Sequence, residues 1–184
     1  MFWRRRDQQQ DRLEPPEPDV AAAIPEAPQP HGELVPIRIY TEAEVVDGWT
    51  RLGSQRLSDL LNAEDILSVS RVDDQPSEDD WQAFERERMM LVVAPPHSSP
   101  RQLRVHRQKR EIRALSPHYA VRGTVHLIPG NRLDRTVIRT RQHFLPITDA
   151  RLSTRVQPNS EEEVDVVLVN VVDVGDEFSL EVVE

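Results

Sequence analysis

The side chains that could carry out catalysis are few in this sequence and follow no recognised motif. The six histidines form neither H-x-x-x-H nor H-E-x-x-H, no serine stands in G-x-S-x-G, and no P-loop or G-x-G-x-x-G is present. His126 and His143 could converge with Asp149, but a structural role for these histidines is favoured. The chain has no cysteine, which excludes thiolate chemistry and cysteine-bound metals. The sequence therefore predicts no catalytic residue, no metal ligand and no cofactor; an enzyme of unrecognised type is the least supported hypothesis.

Acidic clusters offer the only other metal-binding chemistry in the sequence. They lie at Asp73-Asp74, Glu78 to Asp80 and Glu161 to Glu163. None has the D-x-[DN]-x-[DN]-G spacing with a distal glutamate that wraps oxygen ligands around calcium. Solvated loops are therefore the favoured interpretation of these clusters.

A basic segment between Arg101 and Arg113 is the strongest local concentration of charge. Its cations could make several phosphate contacts, which supports the hypothesis of an anion- or nucleic-acid-binding regulator. However, no aromatic residue is interleaved with them to stack on bases, and the net charge of -9 opposes a general affinity for nucleic acid. Charge pairing within the molecule or with a protein partner is the favoured alternative. The candidate anion-binding residues are Arg101, Arg104, Arg107, Lys109, Arg110 and Arg113.

The N-terminal tip combines aromatic and cationic side chains: Phe2, Trp3, Arg4, Arg5 and Arg6. Such a cluster could dock in a partner's groove or at a lipid headgroup layer, although simple solubilising charge is the favoured explanation. Residues 1–34 are rich in proline and charge, a composition that predicts a disordered tail. No apolar run approaches the length of a transmembrane helix and no secretory signal is present. A cytoplasmic location is expected, with peripheral contact of Phe2 and Trp3 at the inner face of the membrane as an open alternative.

From Val35 onward the hydrophobic pattern predicts regular structure. Apolar side chains alternate in three segments and form a compact continuous run in a fourth, which predicts four strands. Leucines at i, i+3 and i+4 predict a short helix ending near Asn62. The segment from Trp81 to Glu87 is expected to form one or two helical turns. The predicted strands are Val35–Thr41, Val45–Leu52, Ile66–Val72 and Met89–Val93.

The same order of segments then begins again, which predicts an internal duplication. Ile112 to Ser116 matches Ile37 to Thr41 at a distance of 75 residues, and Phe144 to Thr148 matches Ile66 to Ser70 at 78. The slow increase in spacing is expected from small insertions in loops. The predicted organisation is a tail over 1–34, a first repeat unit over 35–96, a basic junction over 97–110 and a second unit over 111–184. The second unit is expected to end in an additional hairpin, Val171–Val174 with Phe178–Val183, around a Gly175-Asp176 turn.

The stretch from Val121 to Ala150 resembles a small bacterial domain family. The shared pattern is roughly V-x-G-x-[IV]-x-L-P-P-G-x-R-L-S-D, a short helix, and F-[IL]-P-[LV]-T-D-A. The resemblance covers 30 to 60 residues of the second unit and, more weakly, the same span of the first; it implies a fold unit and carries no activity. The matching residues are Val121, Gly123, Thr124, Val125, Leu127, Pro129, Gly130, Arg132, Leu133, Asp134 and Phe144 to Ala150.

Together these observations predict a β-rich α+β protein made of two copies of a strand-strand-helix-strand-strand unit. A unit of this size is marginally stable alone, so the copies are expected to share a core in a pseudo-twofold sandwich or barrel-like arrangement. Strand edges left open would provide a means of assembly. The favoured function is a non-enzymatic protein-interaction or scaffold module tethered by its N-terminal tail. Its partner would be another protein, or the protein itself assembling through sheet edges.

Overall fold

The computed structural model describes residues 32–71, 76, 80–94, 107–130, 133, 142–155, 160–172 and 178–183. The predicted tip, Phe2 to Arg6, and the predicted anion-binding residues Arg101 and Arg104 lie outside these residues, as do Arg132 and Asp134. Below, residues 32–94 are called the first half and residues 107–183 the second half.

The described chain contains one α-helix and ten β-strands. A 3-10 turn, Arg86–Arg88, lies between the fourth and fifth strands. In chain order the elements are β1 Glu33–Tyr40, β2 Val45–Leu52, α1 Leu57–Ala63, β3 Ile66–Ser70, β4 Trp81–Glu85, β5 Leu91–Val93, β6 Gln108–Leu115, β7 Tyr119–Leu127, β8 Phe144–Thr154, β9 Glu162–Asn170 and β10 Ser179–Val182.

All ten strands belong to one antiparallel sheet with the order β10-β6-β7-β8-β9-β5-β1-β2-β3-β4. Among the described strands the sheet is not closed, because β10 and β4 each have a single neighbour. The predicted β-rich α+β class is confirmed. Tandem duplication and a sandwich arrangement remain predictions. No helix of the described residues is long and apolar enough to cross a bilayer.

Two hydrophobic cores lie on opposite faces of this sheet. Successive side chains of a strand point to opposite faces, and the central strands show this directly. On β5, Leu91 belongs to the core of the second half whereas Val92 belongs to that of the first. On β9, Leu168 packs in the first-half core while Val167 and Val169 pack in the second. The strands at the junction therefore stabilise both halves at once.

A β-bulge in β8 lets residues on both sides of the bulge face the second-half core. Asp149 has a left-handed φ of +49°, and the β7–β8 register shifts between Arg122 and Thr124. The additional residue reverses the alternation of side chains. As a result Ile147 before the bulge and Leu152 after it are both buried in the second-half core, although their numbers differ in parity.

Three local predictions are wrong. Trp81–Glu85 forms strand β4 instead of helical turns, since its aromatic residues favour a pleated surface where arginines cover them: Arg51 lies 5.7 Å from the Trp81 ring centroid. The final strand β10 pairs with β6, and does not form the predicted C-terminal hairpin. Glu162 and Glu163 lie within β9, where each pairs with an arginine, instead of in a solvated loop.

Candidate functional site

The predicted anion-binding residues that the structure describes lie on or beside β6. Lys109, Arg110 and Arg113 belong to the strand, and Arg107 precedes it by one residue. All four are exposed. Alternation along β6 places Lys109 and Arg113 on one face and Arg110 on the other. The structure therefore does not bring these four cations together into one cluster.

The structure instead places Arg113 in a row of three arginines. Arg113 of β6 lies opposite Arg122 of β7, which lies opposite Arg151 of β8. We call these residues the arginine row. It lies on the face opposite the second-half core, since the neighbouring Ile112, Val121 and Leu152 are buried in that core. Nothing in the sequence marks Arg122 and Arg151, because only the strand register aligns them with Arg113.

Glutamates partly neutralise the arginine row. Arg122 Nε donates to Glu111 Oε1 at 2.7 Å, and Arg151 Nη2 lies 2.8 Å from Glu163 Oε1. Arg113 stands opposite Glu181 of β10 but makes no ion pair with a described residue. A cleft of about 390 Å³ opens along the row. Like charges directly opposite one another on a sheet repel, so an anion bound here would relieve the repulsion.

A second charged group joins the two halves. Arg38 of β1 donates from Nε to Asp47 at 2.6 Å and from Nη1 to Glu162 of β9 at 2.8 Å. Tyr40 donates its hydroxyl to the other oxygen of Glu162 at 2.6 Å. Burial and the hydrogen bond to Glu162 raise the pKa of Tyr40 to about 12. The hydrogen bond to Asp47 raises the pKa of Arg38 above its ordinary value, so both halves share a permanently charged link.

This link predicts a pH-dependent contribution of Tyr40 to stability. Because its pKa is raised in the folded protein, its contribution is complete below pH 10 and is lost as pH rises toward 12. We expect Tyr40→Phe to be less stable than the wild type by about 1 kcal/mol at pH 7, where one hydrogen bond is lost. Urea unfolding at several pH values should show this gap narrowing above pH 10. A gap that stays constant to pH 12 would contradict the assignment.

A cleft beside this link is lined by residues of both halves. It encloses about 770 Å³ between β1 and β2 on one side and β8 and β9 on the other. Arg38, Asp47, Arg151 and Glu163 line it, and these side chains already neutralise one another in ion pairs. The cleft therefore resembles a polar seam between the halves more than a pocket with uncommitted chemical groups.

His126 is held by hydrogen bonds that suit a structural role. Thr148 donates its hydroxyl to the Thr124 carbonyl at 3.3 Å, which leaves the Thr148 oxygen to accept from His126 Nε2 at 3.0 Å. Burial, with the charges of Lys109 and Arg107, lowers the pKa of His126. Among the described residues, no group of three or more His, Asp and Glu side chains could hold a metal ion.

The two end strands of the sheet offer another kind of site, made of backbone groups. The Arg86 amide donates to the Asp65 carbonyl on the β3 side. Because backbone groups alternate along a strand, the N–H and C=O groups of Gln82 and Phe84 of β4 point toward β3, and those of Ala83 point away from it. On β10 the Val183 amide donates to Glu111 of β6.

By the same alternation along β10, the backbone groups of Glu181 point toward β6 and those of Val182 point away from it. The backbone groups of Ala83 and Val182 thus face outward from opposite ends of the ten-stranded sheet, and no described strand pairs with them. A row of unpaired backbone donors and acceptors is a template for an additional strand.

Comparisons of this chain with family models, with curated proteins and with solved structures found no match.

Proposed function

We propose that this protein is a non-enzymatic protein-interaction or scaffold module that binds protein partners by strand addition at β4 and β10. The observation that carries the proposal is the order of the sheet, in which both end strands lack a second neighbour among the described strands. Main-chain hydrogen bonds to an open edge supply affinity, and the side chains beside the edge supply specificity. Residues 1–34 would serve as the tether, with the cluster Phe2 to Arg6 at its tip.

Tandem duplication is part of this proposal, and the strand positions support it. β1 and β6 are 75 residues apart at both ends, and each pairs with the strand that follows it. The strands β5-β1-β2-β3-β4 of the first half have the same neighbours as β10-β6-β7-β8-β9 of the second. A close approach of a glycine to the third strand of each half recurs at Gly48 and Gly123. Each half is therefore one unit with two different edges.

Blocking the outward backbone groups tests the proposal. Proline at Ala83 and Val182 removes the outward amides while leaving the inward hydrogen bonds of β4 and β10 in place. We expect the variant Ala83→Pro with Val182→Pro to recover at least about tenfold less partner protein from cell extract than the tagged full chain does. The measurement is quantitative recovery of bound proteins, with far-ultraviolet circular dichroism to establish folding.

Two matched chains accompany this experiment. Glu42→Pro places proline at an exposed turn residue and should retain partner binding. A chain of residues 32–184 preserves β1 and removes the tail, so it should bind the same partners in vitro but lose its position in the cell. Equal recovery by the edge variant and by Glu42→Pro would refute strand addition. An unchanged location without the tail would refute the tether.

Anion binding is the second candidate function, and the arginine row favours it. The three arginines lie directly opposite one another, and Arg113 makes no ion pair with a described residue. The row could therefore bind a phosphate or a carboxylate. Lys109 stands on the same face of β6 as Arg113 and would extend the positive surface. This candidate replaces the predicted linear cluster by one formed from three strands.

Binding of a fluorescent single-stranded DNA and of inorganic polyphosphate tests this second function. We expect Arg113→Gln to weaken polyphosphate binding by about tenfold and to lower its salt dependence by about one unit of slope. Arg110→Gln, on the opposite face of β6, is the matched control and should bind as the wild type does. Equal loss in both variants, or binding that does not depend on salt, would contradict an anion site at the arginine row.

A further inference from the structure

We infer that the strand added to β4 is β10 of a second copy of this chain, so that copies join head to tail into one longer sheet. This inference rests on the proposed function and names its partner. The junction between the two halves supplies the template. There β9, the far edge of the second half, pairs with β5, the near edge of the first, in an antiparallel arrangement.

The two open edges are of the same two kinds as those joined at the junction. β5 corresponds to β10, because each pairs with the first strand of its half, β1 or β6. β4 corresponds to β9, because each pairs with the third strand of its half, β3 or β8. One edge of each kind is used inside the chain, and one of each kind remains at its ends. Unlike edges that complement one another make a heterologous contact, which repeats from copy to copy.

The template also determines the register. Val92 lies opposite Leu168 at the internal junction, and Val93 lies opposite Val167. Leu180 of β10 is the counterpart of Val92 of β5. Val92 lies opposite Ile39 of β1, and Leu180 lies opposite Ala114, the residue of β6 that corresponds to Ile39.

The same comparison applies to the other edge. Ala83 of β4 is the counterpart of Leu168 of β9. Ala83 lies two residues before Glu85, which pairs with the first residue of β3, and Leu168 lies two residues before Asn170, which pairs with the first residue of β8. Leu180 of one copy should therefore lie opposite Ala83 of the next, with Glu181 opposite Gln82.

Backbone direction and surface chemistry agree with this register. Ala83 and Leu180 both turn their backbone groups outward, as a hydrogen-bonded antiparallel pair requires. The register also brings Val182 opposite Trp81. Val182 is 47% exposed, one of the few large apolar side chains so exposed among the described residues, and Trp81 is half-buried. None of these three opposed pairs combines like charges.

The contact between copies should be weaker than the internal junction. At that junction Leu168 and Leu91 cross into the neighbouring core, and both are almost fully buried. Their counterparts at the open edges are Ala83 and Ser179, which bury less apolar surface. Since hydrophobic stabilisation scales with the apolar area buried, we expect reversible association that depends on protein concentration.

Cysteine cross-linking of the full chain tests the register. The wild type has no cysteine, so each introduced thiol is unique. Gln82 and Glu181 are exposed, and in the proposed register they form a non-hydrogen-bonded pair with Cα atoms about 4.5 Å apart, within disulfide range. Differently tagged Gln82→Cys and Glu181→Cys chains are mixed under mild oxidation. We expect the mixed dimer to exceed either homodimer by about tenfold.

The off-register control is Gln82→Cys mixed with Ser179→Cys, whose side chain is on the same face two residues away. Its yield should be about tenfold lower, because the Cα atoms are too far apart for a disulfide. Predominant Gln82→Cys homodimers would show twofold pairing of β4 edges and overturn the inference, as would equal yields in and out of register or no dimer at all. If cross-linking fails while Ala83→Pro with Val182→Pro still loses other protein partners, self-assembly is refuted and the proposed function stands.

Discussion

Replacement of Phe144 by alanine should lower the free energy of unfolding by about 3–5 kcal/mol, the largest effect we expect from one substitution. Phe144 begins β8 in the second half, yet its fully buried ring packs in the first-half core. Its backbone is held from the first half as well: the Phe144 amide donates to Asn62 Oδ1 at 2.9 Å, and Asn62 Nδ2 donates to the Phe144 carbonyl at 3.1 Å. The substitution therefore leaves a cavity where the halves meet.

Urea unfolding of Phe144→Ala measures this effect. Ile128→Ala is the matched control, since Ile128 is 60% exposed and its truncation should change stability by no more than about 0.5 kcal/mol. Hydrogen exchange adds a direction to the test, because amides of β1 and β3 in the first half should lose protection although the substitution lies in the second. A loss below about 1 kcal/mol, or one confined to the second half, would show that the halves do not share a core there.

Replacement of Gly123 by alanine should destabilise the protein by roughly 2–3 kcal/mol. A Cβ at this position would lie 2.7 Å from Ile147 Cγ2, 2.8 Å from the Thr148 carbonyl oxygen and 3.0 Å from Ala150 Cα. Two of these atoms are backbone atoms of the β8 bulge, so the strand itself would have to move. The absence of a side chain at Gly123 lets β7 lie close to β8 at the bulge around Asp149.

Gly53→Ala is the control for Gly123→Ala. No atom lies within 4 Å of a Cβ built at Gly53, so this change should be neutral or slightly stabilising by restricting the unfolded chain. Thermal unfolding of the two variants beside the wild type gives the comparison. Equal melting temperatures for Gly123→Ala and Gly53→Ala would contradict the bulge geometry.

Local patterns in the sequence were sufficient for much of the fold. Alternation of apolar residues predicts β2 and the start of β8, and the leucine spacing predicts α1, because burial on one face leaves a period in the sequence. Trp81–Glu85 was missed because its polar residues hide that period, and its aromatic side chains are covered by arginines from neighbouring segments.

Features that depend on strand order could not be predicted in this way. The pairing of β9 with β5 depends on contacts between residues far apart in the chain, for which no local pattern exists. The Gly175-Asp176 pair in the sequence predicts a hairpin that includes β10, whereas the hydrogen bonds of β10 go to β6. For the same reason the arginine row was invisible: Arg113 and Arg151 become neighbours of Arg122 only through the register of three strands.

Hydrogen exchange at single-residue resolution in dilute, monomeric protein tests most directly the claim that β4 and β10 present open edges. Because backbone groups alternate, the amides of Ala83 and Val182 should exchange nearly as fast as in an unfolded chain. The amides of Gln82 and Glu181, which point into the sheet, should be protected. Equal protection of Ala83 and Gln82, and of Val182 and Glu181, would show that the edges are already covered within the chain and would contradict binding by strand addition.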